Sequence, residues 1–338
     1  MGLLDRLFGR AAAPTQAPLL QAALQRAVEL IEPKLALARD WQSSLTPGVE
    51  AAISCARDVA GRLEPVLPFS RAAWSDSALL RAAFATPEAV DETLRTAREV
   101  QRFFRTHADA AQVCAVLGMQ FKRVRQFDRD LVDGQVVEDV QLERASFQAH
   151  QLKVVAADPE ALRQAAGARV FNDLMLAAAR RLAEAAARGK DLSVVRAMLQ
   201  ARLRMLERDE GSLFSDEPDV ANDGIADLQA QRTEIELQLV SLSDSIAATG
   251  TGADALERQL EIARNALLHA REVLHIERQQ LRLDSMNRVL PQDDPRGQLV
   301  SFETAQGVGA DRAFVAVSIR RQDMPDGGLR IGAVERTL

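Results

Sequence analysis

The residue types that most often carry catalysis or bind metals are sparse in this chain. Four histidines and two cysteines are spread over 338 residues, without the paired spacing of a zinc site. Glu272-x-x-His275 would place a carboxylate and an imidazole on one face of a helix, as in di-iron bundles. Such a bundle needs two of these motifs, and the chain has one. The sequence therefore predicts no metal site.

Motifs of the common enzyme and cofactor classes are missing as well. The chain has no GxxxxGK(S/T) phosphate loop, no GxSxG nucleophile turn and no HExxH or CxxC pair. Cys55 and Cys114 lie in apolar stretches, so we expect both to be small buried side chains. We assign no catalytic residue, no cofactor-binding residue and no metal ligand, and we predict a protein that is not an enzyme.

Two basic stretches are candidates for binding anions. Residues 121–127 combine three bases with two phenylalanines, and residues 180–208 hold eight lysines and arginines. One alternative hypothesis is therefore an enzyme or regulatory subunit that binds a phosphorylated ligand within residues 119–208. A second is a nucleic-acid-associated coiled-coil protein. Nucleic acid is the less favoured partner, because residues 209–254 carry eleven acids against one arginine and offer the bases an internal partner.

The first ten residues form an amphipathic helical pattern, with apolar side chains on one face and charged ones on the other. The predicted contact residues are Leu3, Leu4, Leu7 and Phe8. Three interpretations stay open for this segment: reversible contact with a membrane surface, docking onto a protein or the chain's own body, and an unattached tail.

The most regular apolar pattern lies in the second half of the chain. Spacings of three and four alternate over residues 225–246 and again over 256–281, with a glycine-containing break between them. These heptads predict an antiparallel coiled-coil hairpin that ends near Leu290 and serves self-association or a protein partner. The predicted seam residues are Ile225, Leu228, Arg232, Ile235, Leu239, Leu242, Ile246, Leu256, Leu260, Leu267, Leu274 and Leu281.

Local signals predict the other helices. Thr46-Pro47, Thr86-Pro87 and Asp158-Pro159 each combine a capping residue with a first-turn proline, which indicates a helix start. Apolar spacings of three and four favour a helix from about Asp109 towards Gly118. Its continuation to Leu131 is open between helix and strand, because residues 132–135 form a hairpin-turn signal.

Strand signals are restricted to two regions. The valine-rich residues 136–155 predict mainly strand. Residues 314–319 and 329–334 predict a C-terminal β-hairpin around a turn at 325–328. Because a lone hairpin is marginal in water, it must pair with the 136–155 region or with another subunit.

These signals give a predicted domain organisation for a chain long enough for two or three units. The predicted segments are an amphipathic segment and tether (1–18), a helical domain with strands around 119–155 (19–208), an acidic linker (209–224), the coiled-coil hairpin (225–290), and a linker with the β-hairpin (291–338). The predicted fold class is mainly α with a small β component: an N-terminal helical domain, an antiparallel coiled-coil hairpin and a C-terminal β-hairpin.

Composition narrows the class of protein. The net charge is −6, and no apolar run reaches the roughly 18–20 residues that cross a bilayer. Four lysines against thirty-eight arginines indicate a GC-rich bacterial coding sequence, and two cysteines fit a reducing compartment. The hypothesis is a non-enzymatic coiled-coil assembly or adaptor protein of the bacterial cytoplasm, with peripheral contact to the inner membrane as an open addition.

Overall fold

The computed structural model describes residues 16–132, 135–188, 192–207, 232–240, 253–307 and 309–325. The chain divides into two compact units and passes between them several times. The first unit is drawn from Met1–Arg62, Arg163–His275 and Gln306–Ala310. The second unit is drawn from Leu63–Leu162, Ile276–Ala305 and Asp311–Leu338.

The elements are numbered in chain order. The helices are α1 (Gln16–Ile31), α2 (Trp41–Gly61), α3 (Ala78–Ala83), α4 (Pro87–Thr96), α5 (Arg98–Thr106), α6 (Pro159–Arg188), α7 (Leu192–Glu207), α8 (232–240), α9 (Ala253–Leu268) and α10 (Ala270–Val273). Short 3₁₀ turns lie at Pro33–Leu37 and Arg321–Asp323. The strands are β1 (Leu67–Pro68), β2 (Gln112–Val132), β3 (Gln135–Ala156), β4 (His275–Leu283), β5 (Val289–Leu290), β6 (Gln298–Gly307) and β7 (Gly309–Arg320).

Helix packing organises the first unit. Helix α2 packs against both α1 and α9. Leu45, Val49 and Ile53 recur every four residues along α2 and are buried, as expected for one face of an amphipathic helix. Helix α9 comes close to α2 at Gly48, where a Cβ atom would lie 2.8 Å from the Cβ atom of Leu267. Only glycine allows this approach without displacement.

Two of the three predicted helix starts are confirmed. Helix α4 begins at Pro87 after Thr86. Helix α6 begins at Pro159, and the side chain of Asp158 accepts a hydrogen bond from the Ala161 amide over 2.8 Å. The third start is wrong, because α2 begins at Trp41 and runs through Pro47. The residues before Pro47 already belong to α2, so this proline lies inside the helix and not at its first position.

A six-stranded antiparallel sheet, curled into a half-barrel, dominates the second unit. Its strand order is β3-β2-β7-β6-β4-β5, and β1 pairs in parallel with β7 beside this path. The curl brings the two ends of the sheet together. Arg144 of β3 forms an isolated bridge with Arg288 next to β5, and the Ala145 amide donates to the Asn287 carbonyl over 2.9 Å.

The core of the second unit lies between this sheet and three short helices. Helices α3, α4 and α5 pack against β3, and α5 also packs against β2. Alternate residues of β2 and β7 contribute to the core, as the two-residue period of a strand requires. These buried residues are Val113, Ala115, Leu117 and Met119 of β2 and Ala313, Val315, Val317 and Ile319 of β7.

The predicted fold class is wrong in two respects. Helix makes up 55% of the residues and strand 26%, so the β component is not small. The second helical stretch of the predicted hairpin ends at Val273, and β4 occupies residues 275–283. Leu281 and Leu283 are buried at alternate positions, as on a strand, although the seven-residue interval from Leu274 to Leu281 also fits a heptad. The predicted coiled-coil hairpin is therefore wrong, because its second helix ends with α10 at Val273 and not near Leu290. The assembly role predicted from that hairpin is not supported.

The remaining strand predictions have mixed outcomes. The helix from Asp109 towards Gly118 is wrong, because β2 begins at Gln112. Strand over residues 136–155 is confirmed by β3, and strand over 314–319 by β7. The predicted pairing of residues 314–319 with the 136–155 region is wrong, because β7 lies inside the sheet between β2 and β6. The returning strand at 329–334 lies outside the described residues.

Candidate functional site

The residues predicted as contact positions do not form one site. Leu3, Leu4, Leu7, Phe8, Ile225, Leu228, Leu242 and Ile246 lie outside the described residues. The seam residues Ile235, Leu260 and Leu267 are buried in helices of the first unit, Leu239 and Leu256 are half-buried, and Leu274 is buried at the end of α10. Arg232 is exposed and pairs with Glu236 over 2.9 Å. Leu281 belongs instead to the core of the second unit.

A two-stranded ribbon formed by β2 and β3 extends past the rest of the sheet. The register between β2 and β7 runs from Gln112↔Arg320 to Gln120↔Arg312. Because β7 begins at Gly309, β7 can pair with β2 only as far as residue 123 of β2. Strand β2 nevertheless continues to Val132, paired with β3. We call residues 121–132 and 135–147 the β2–β3 arm.

Three aromatic rings hold the arm at its root. The ring of Phe121 lies 5.3 Å from the ring of Phe147 directly across the strand pair, and 4.9 Å from the ring of Phe302 on β6. Phe147 and Phe302 are 5.2 Å apart in an edge-to-face arrangement, so the three rings contact one another. Two residues further along β2, the Arg123 guanidinium donates to Gln279 Oε1 over 2.7 Å. The root of the arm is therefore fixed to β4 and β6.

A turn between β4 and β5 supports the other strand of the arm. The Asp284 carboxylate accepts hydrogen bonds from the backbone amides of Met286 and Arg288, over 2.8 and 2.9 Å. Asn287 occupies the left-handed region at φ 60°, which asparagine tolerates in turns. Its carbonyl accepts from Ala145 of β3, and its side-chain amide donates to the Ala82 carbonyl over 2.8 Å. The turn thus connects the arm to α3.

Beyond its root the arm exposes both charge and apolar surface. Lys122, Arg123 and Arg125 are exposed. Phe127 is 71% exposed and Val124 is 45% exposed, both high for apolar side chains of this size. Neighbouring residues on a strand point to opposite faces, so Arg123, Arg125 and Phe127 share one face while Lys122 and Val124 share the other.

Charge changes sign along the length of the arm. The basal part, residues 121–127 and 142–147, carries four bases and one acid: Lys122, Arg123, Arg125 and Arg144 against Glu143. The distal part, residues 128–132 and 135–141, carries four acids and one base: Asp128, Asp130, Glu138 and Asp139 against Arg129. The net charge of the arm is therefore positive in its basal part and negative in its distal part.

His150, Cys114 and Cys55 have pKa values that are shifted by burial. The ring of His150 stacks on Phe84 with centroids 4.1 Å apart, and burial lowers the pKa of His150 to about 4. Burial likewise raises the pKa of the Cys114 thiol, and in the first unit that of the Cys55 thiol. An imidazole with so low a pKa is a weak base, and thiols whose pKa is raised stay protonated and are poor nucleophiles at neutral pH.

A groove between α1 and α2 is a separate feature of the first unit. It has a volume of about 320 Å³ and is lined by Leu19, Leu20, Glu50, Ile53, Ser54, Arg57 and Asp58. Arg271 donates to Asp58 over 2.5 Å at its edge. The groove therefore has an apolar floor and a charged rim, without a nucleophile and base in contact. Across the described parts of the chain, no cluster of His, Cys, Asp and Glu is arranged to hold a metal ion.

The predicted phosphate-binding region does not coincide with one unit. Strands β2 and β3 lie in the second unit, whereas the arginines of residues 180–207 lie on α6 and α7 in the first unit. Arg204 on α7 donates to the Glu29 carbonyl over 2.6 Å, so it contacts its own unit. The sequence marks residues 121–127 as basic and aromatic, but it does not indicate that they form a ribbon that extends past the sheet.

Comparison of the chain with protein-family models, with curated proteins and with solved structures finds no match in any of the three. In the parts of the chain that the structure describes, no helix has both the length and the apolar character to cross a membrane.

Proposed function

We propose that this protein is a non-enzymatic adaptor that binds a protein partner through the β2–β3 arm. One observation carries the proposal: the arm extends past the sheet and exposes Phe127 and Val124 among three bases. Isolated two-stranded ribbons are marginally stable in water, so an extended one gains stability from a third surface. Full burial of one phenylalanine contributes about 1.5–3 kcal/mol, which makes Phe127 a candidate anchor for such a surface.

Charge favours a protein over a polyphosphate as the partner. Nucleic acid would be attracted by the bases of the basal part but repelled by the four acids of the distal part of the same ribbon. Lys122 points to the face opposite Arg123 and Arg125, so the three bases cannot all hold one phosphate group. Of the two bases that share a face, Arg123 already donates a hydrogen bond to Gln279. These features support a mixed-charge protein surface as the complement of the arm.

Site-specific photocrosslinking tests this proposal in bacterial cells that express the full-length chain. Benzoylphenylalanine replaces Phe127 in one variant and Leu37, which is 80% exposed on the first unit, in a matched control. We expect a protein adduct of defined mass at position 127 only. We also expect the charge reversals Lys122→Glu and Arg125→Glu to reduce that adduct at least tenfold.

Two results would contradict the adaptor function. Equal or absent adducts at positions 127 and 37 would show that the arm has no preferred partner. A nuclease-sensitive adduct at position 127 would identify nucleic acid as the partner instead.

A further inference from the structure

We propose that the groove between α1 and α2 is the docking site of the amphipathic segment Met1–Arg10 of the same chain. The four predicted contact residues of that segment would lie on the apolar floor of the groove. The inference concerns the first unit and does not depend on the function proposed for the β2–β3 arm. Three observations carry it: apolar surface that is left uncovered on α1, the length of the connecting chain, and the charges on the groove rim.

The apolar face of α1 extends beyond the part of the helix that is covered. Leu20, Leu24 and Val28 recur every four residues and therefore share one face of α1. Leu24 and Val28 are buried, whereas Leu20 is only half-buried, and so is its neighbour Leu19. Both of these leucines line the groove together with Ile53 of α2. The groove is therefore the place where α1 still has apolar surface to bury.

The connecting chain is long enough to reach the groove and too short to carry the segment far from it. Helix α1 begins at Gln16, and Leu19 lies about 4.5 Å further along its axis, since a helix rises by about 1.5 Å per residue. Residues 11–15 connect the segment to α1 and span at most about 18 Å when extended. A tether this short gives the attached segment an effective concentration of roughly millimolar order, which favours it over the segment of a second copy.

The dimensions of the groove also suit a short helix. Its wall on α2 runs from Glu50 to Asp58, which is about 12 Å along the helix axis. In a helix, the apolar face from Leu3 to Phe8 would be about 7.5 Å long, so it fits within this wall. The groove volume of about 320 Å³ suits a few inserted apolar side chains, with the rest of the segment outside.

The charges around the groove complement the polar face of the segment. The rim residues that carry charge are exposed on α2: Glu50, Arg57 and Asp58. Asp58 is already paired with Arg271, whereas Glu50 forms no ion pair with any residue in the described parts of the chain. Arg6 and Arg10 are one helical turn apart, so both have the position and the sign to approach Glu50. Because an exposed ion pair contributes little free energy, this contact would orient the segment while the apolar face holds it.

Site-specific photocrosslinking of the purified full-length chain tests the docking. Benzoylphenylalanine replaces Phe8 on the apolar face in one variant, and Arg6 on the opposite face in a matched control. We expect an adduct within one chain from position 8, mapped by mass spectrometry to residues 19–20 or 50–58, and no groove adduct from position 6. The crosslinked fraction should not change with protein concentration, because the contact is intramolecular.

Filling the groove should displace the segment. Ser54→Trp adds a bulky side chain at an exposed lining position, and Gln42→Trp adds the same side chain at an exposed position of α2 outside the groove. The adduct from position 8 should be lost in the first variant and retained in the second, with circular dichroism and thermal melting unchanged in both. Leu4→Asp, which alters the segment and not the groove, should also remove the adduct. An adduct of full yield in folded Ser54→Trp and in Leu4→Asp would contradict docking.

Three other results would overturn the inference. Equal or absent groove adducts from positions 8 and 6 would show that the segment has no preferred contact. An adduct at twice the chain mass of 37.0 kDa would show that the segment binds a second copy. With phosphatidylglycerol vesicles present we expect the groove adduct to persist, and lipid adducts in its place would identify a membrane surface as the contact instead.

Discussion

The close approach of α2 and α9 at Gly48 predicts an unusual response to alanine. In the interior of a helix, replacing glycine by alanine stabilises the protein by roughly 1 kcal/mol. At Gly48, the added Cβ atom would lie 2.8 Å from Leu267 Cβ and 3.1 Å from the Arg264 carbonyl oxygen. Neither atom is the end of a flexible side chain, so only a shift of α2 and α9 relative to each other relieves the overlap.

The size of the effect follows from these opposing contributions. Overpacking of a well-packed core costs about 1–3 kcal/mol, and the rigid neighbours here place Gly48→Ala at the upper end. Subtracting the gain in helix propensity leaves a net loss of about 2 kcal/mol. For a unit of this size we expect a Tm lower by roughly 4–8 °C.

Gly61 provides the matched control on the same helix. A Cβ atom built there has no neighbour within 4 Å, so Gly61→Ala should leave stability unchanged or raise it by up to about 1 kcal/mol. Urea unfolding followed by Trp41 fluorescence, in a Trp74→Phe background, reports on the first unit for both variants. If Gly48→Ala is as stable as Gly61→Ala, α2 and α9 do not pack at this position.

Two further predictions concern pH and membranes. The pKa of His150 falls on folding from 6.5 in the unfolded chain to about 4. Between these two pH values the unfolded chain binds more protons than the folded chain, so the free energy of unfolding decreases as the pH is lowered from 6.5 towards 4. From pH 7.5 to 5 the free energy of unfolding, measured with urea, should decrease by about 2 kcal/mol because of this histidine. His150→Phe, which keeps a ring stacked on Phe84, should remove this decrease, and an unchanged pH dependence in the variant would contradict the prediction. If Met1–Arg10 binds membranes, the full-length chain should cosediment with anionic vesicles and the chain without residues 1–10 should not; equal sedimentation of the two would exclude this contact.

The helix predicted near residue 114 shows why periodicity failed on β2. Cys114, Leu117 and Phe121 have helical spacing, but Val113, Ala115 and Leu117 equally fit a strand. The structure buries Cys114 and Val116 as well as their odd-numbered neighbours, so both faces of the strand are apolar here. A run of consecutive buried residues has no period that distinguishes helix from strand. The same applies after Leu274, where a heptad interval coincides with the alternation of β4.

The candidate site could be predicted in composition but not in shape. The order of bases and phenylalanines in residues 121–127 is visible in the sequence, as is the acidic segment after them. Their projection beyond the sheet depends on where β7 begins, at Gly309, some 180 residues later. Whether a strand has a free edge is decided by a distant partner strand, so no local pattern could have indicated it.

The arm combines charged side chains with an exposed apolar one, and the two have opposite effects on a strand edge. Proteins commonly protect a strand edge with charged side chains, and the arm has such charges near its root at Lys122, Arg123 and Arg125. Phe127 is 71% exposed and adds nothing to that protection. An exposed aromatic ring is instead the kind of side chain that anchors a protein interface. Protection of the edge therefore does not account for Phe127, whereas contact with the proposed protein partner does.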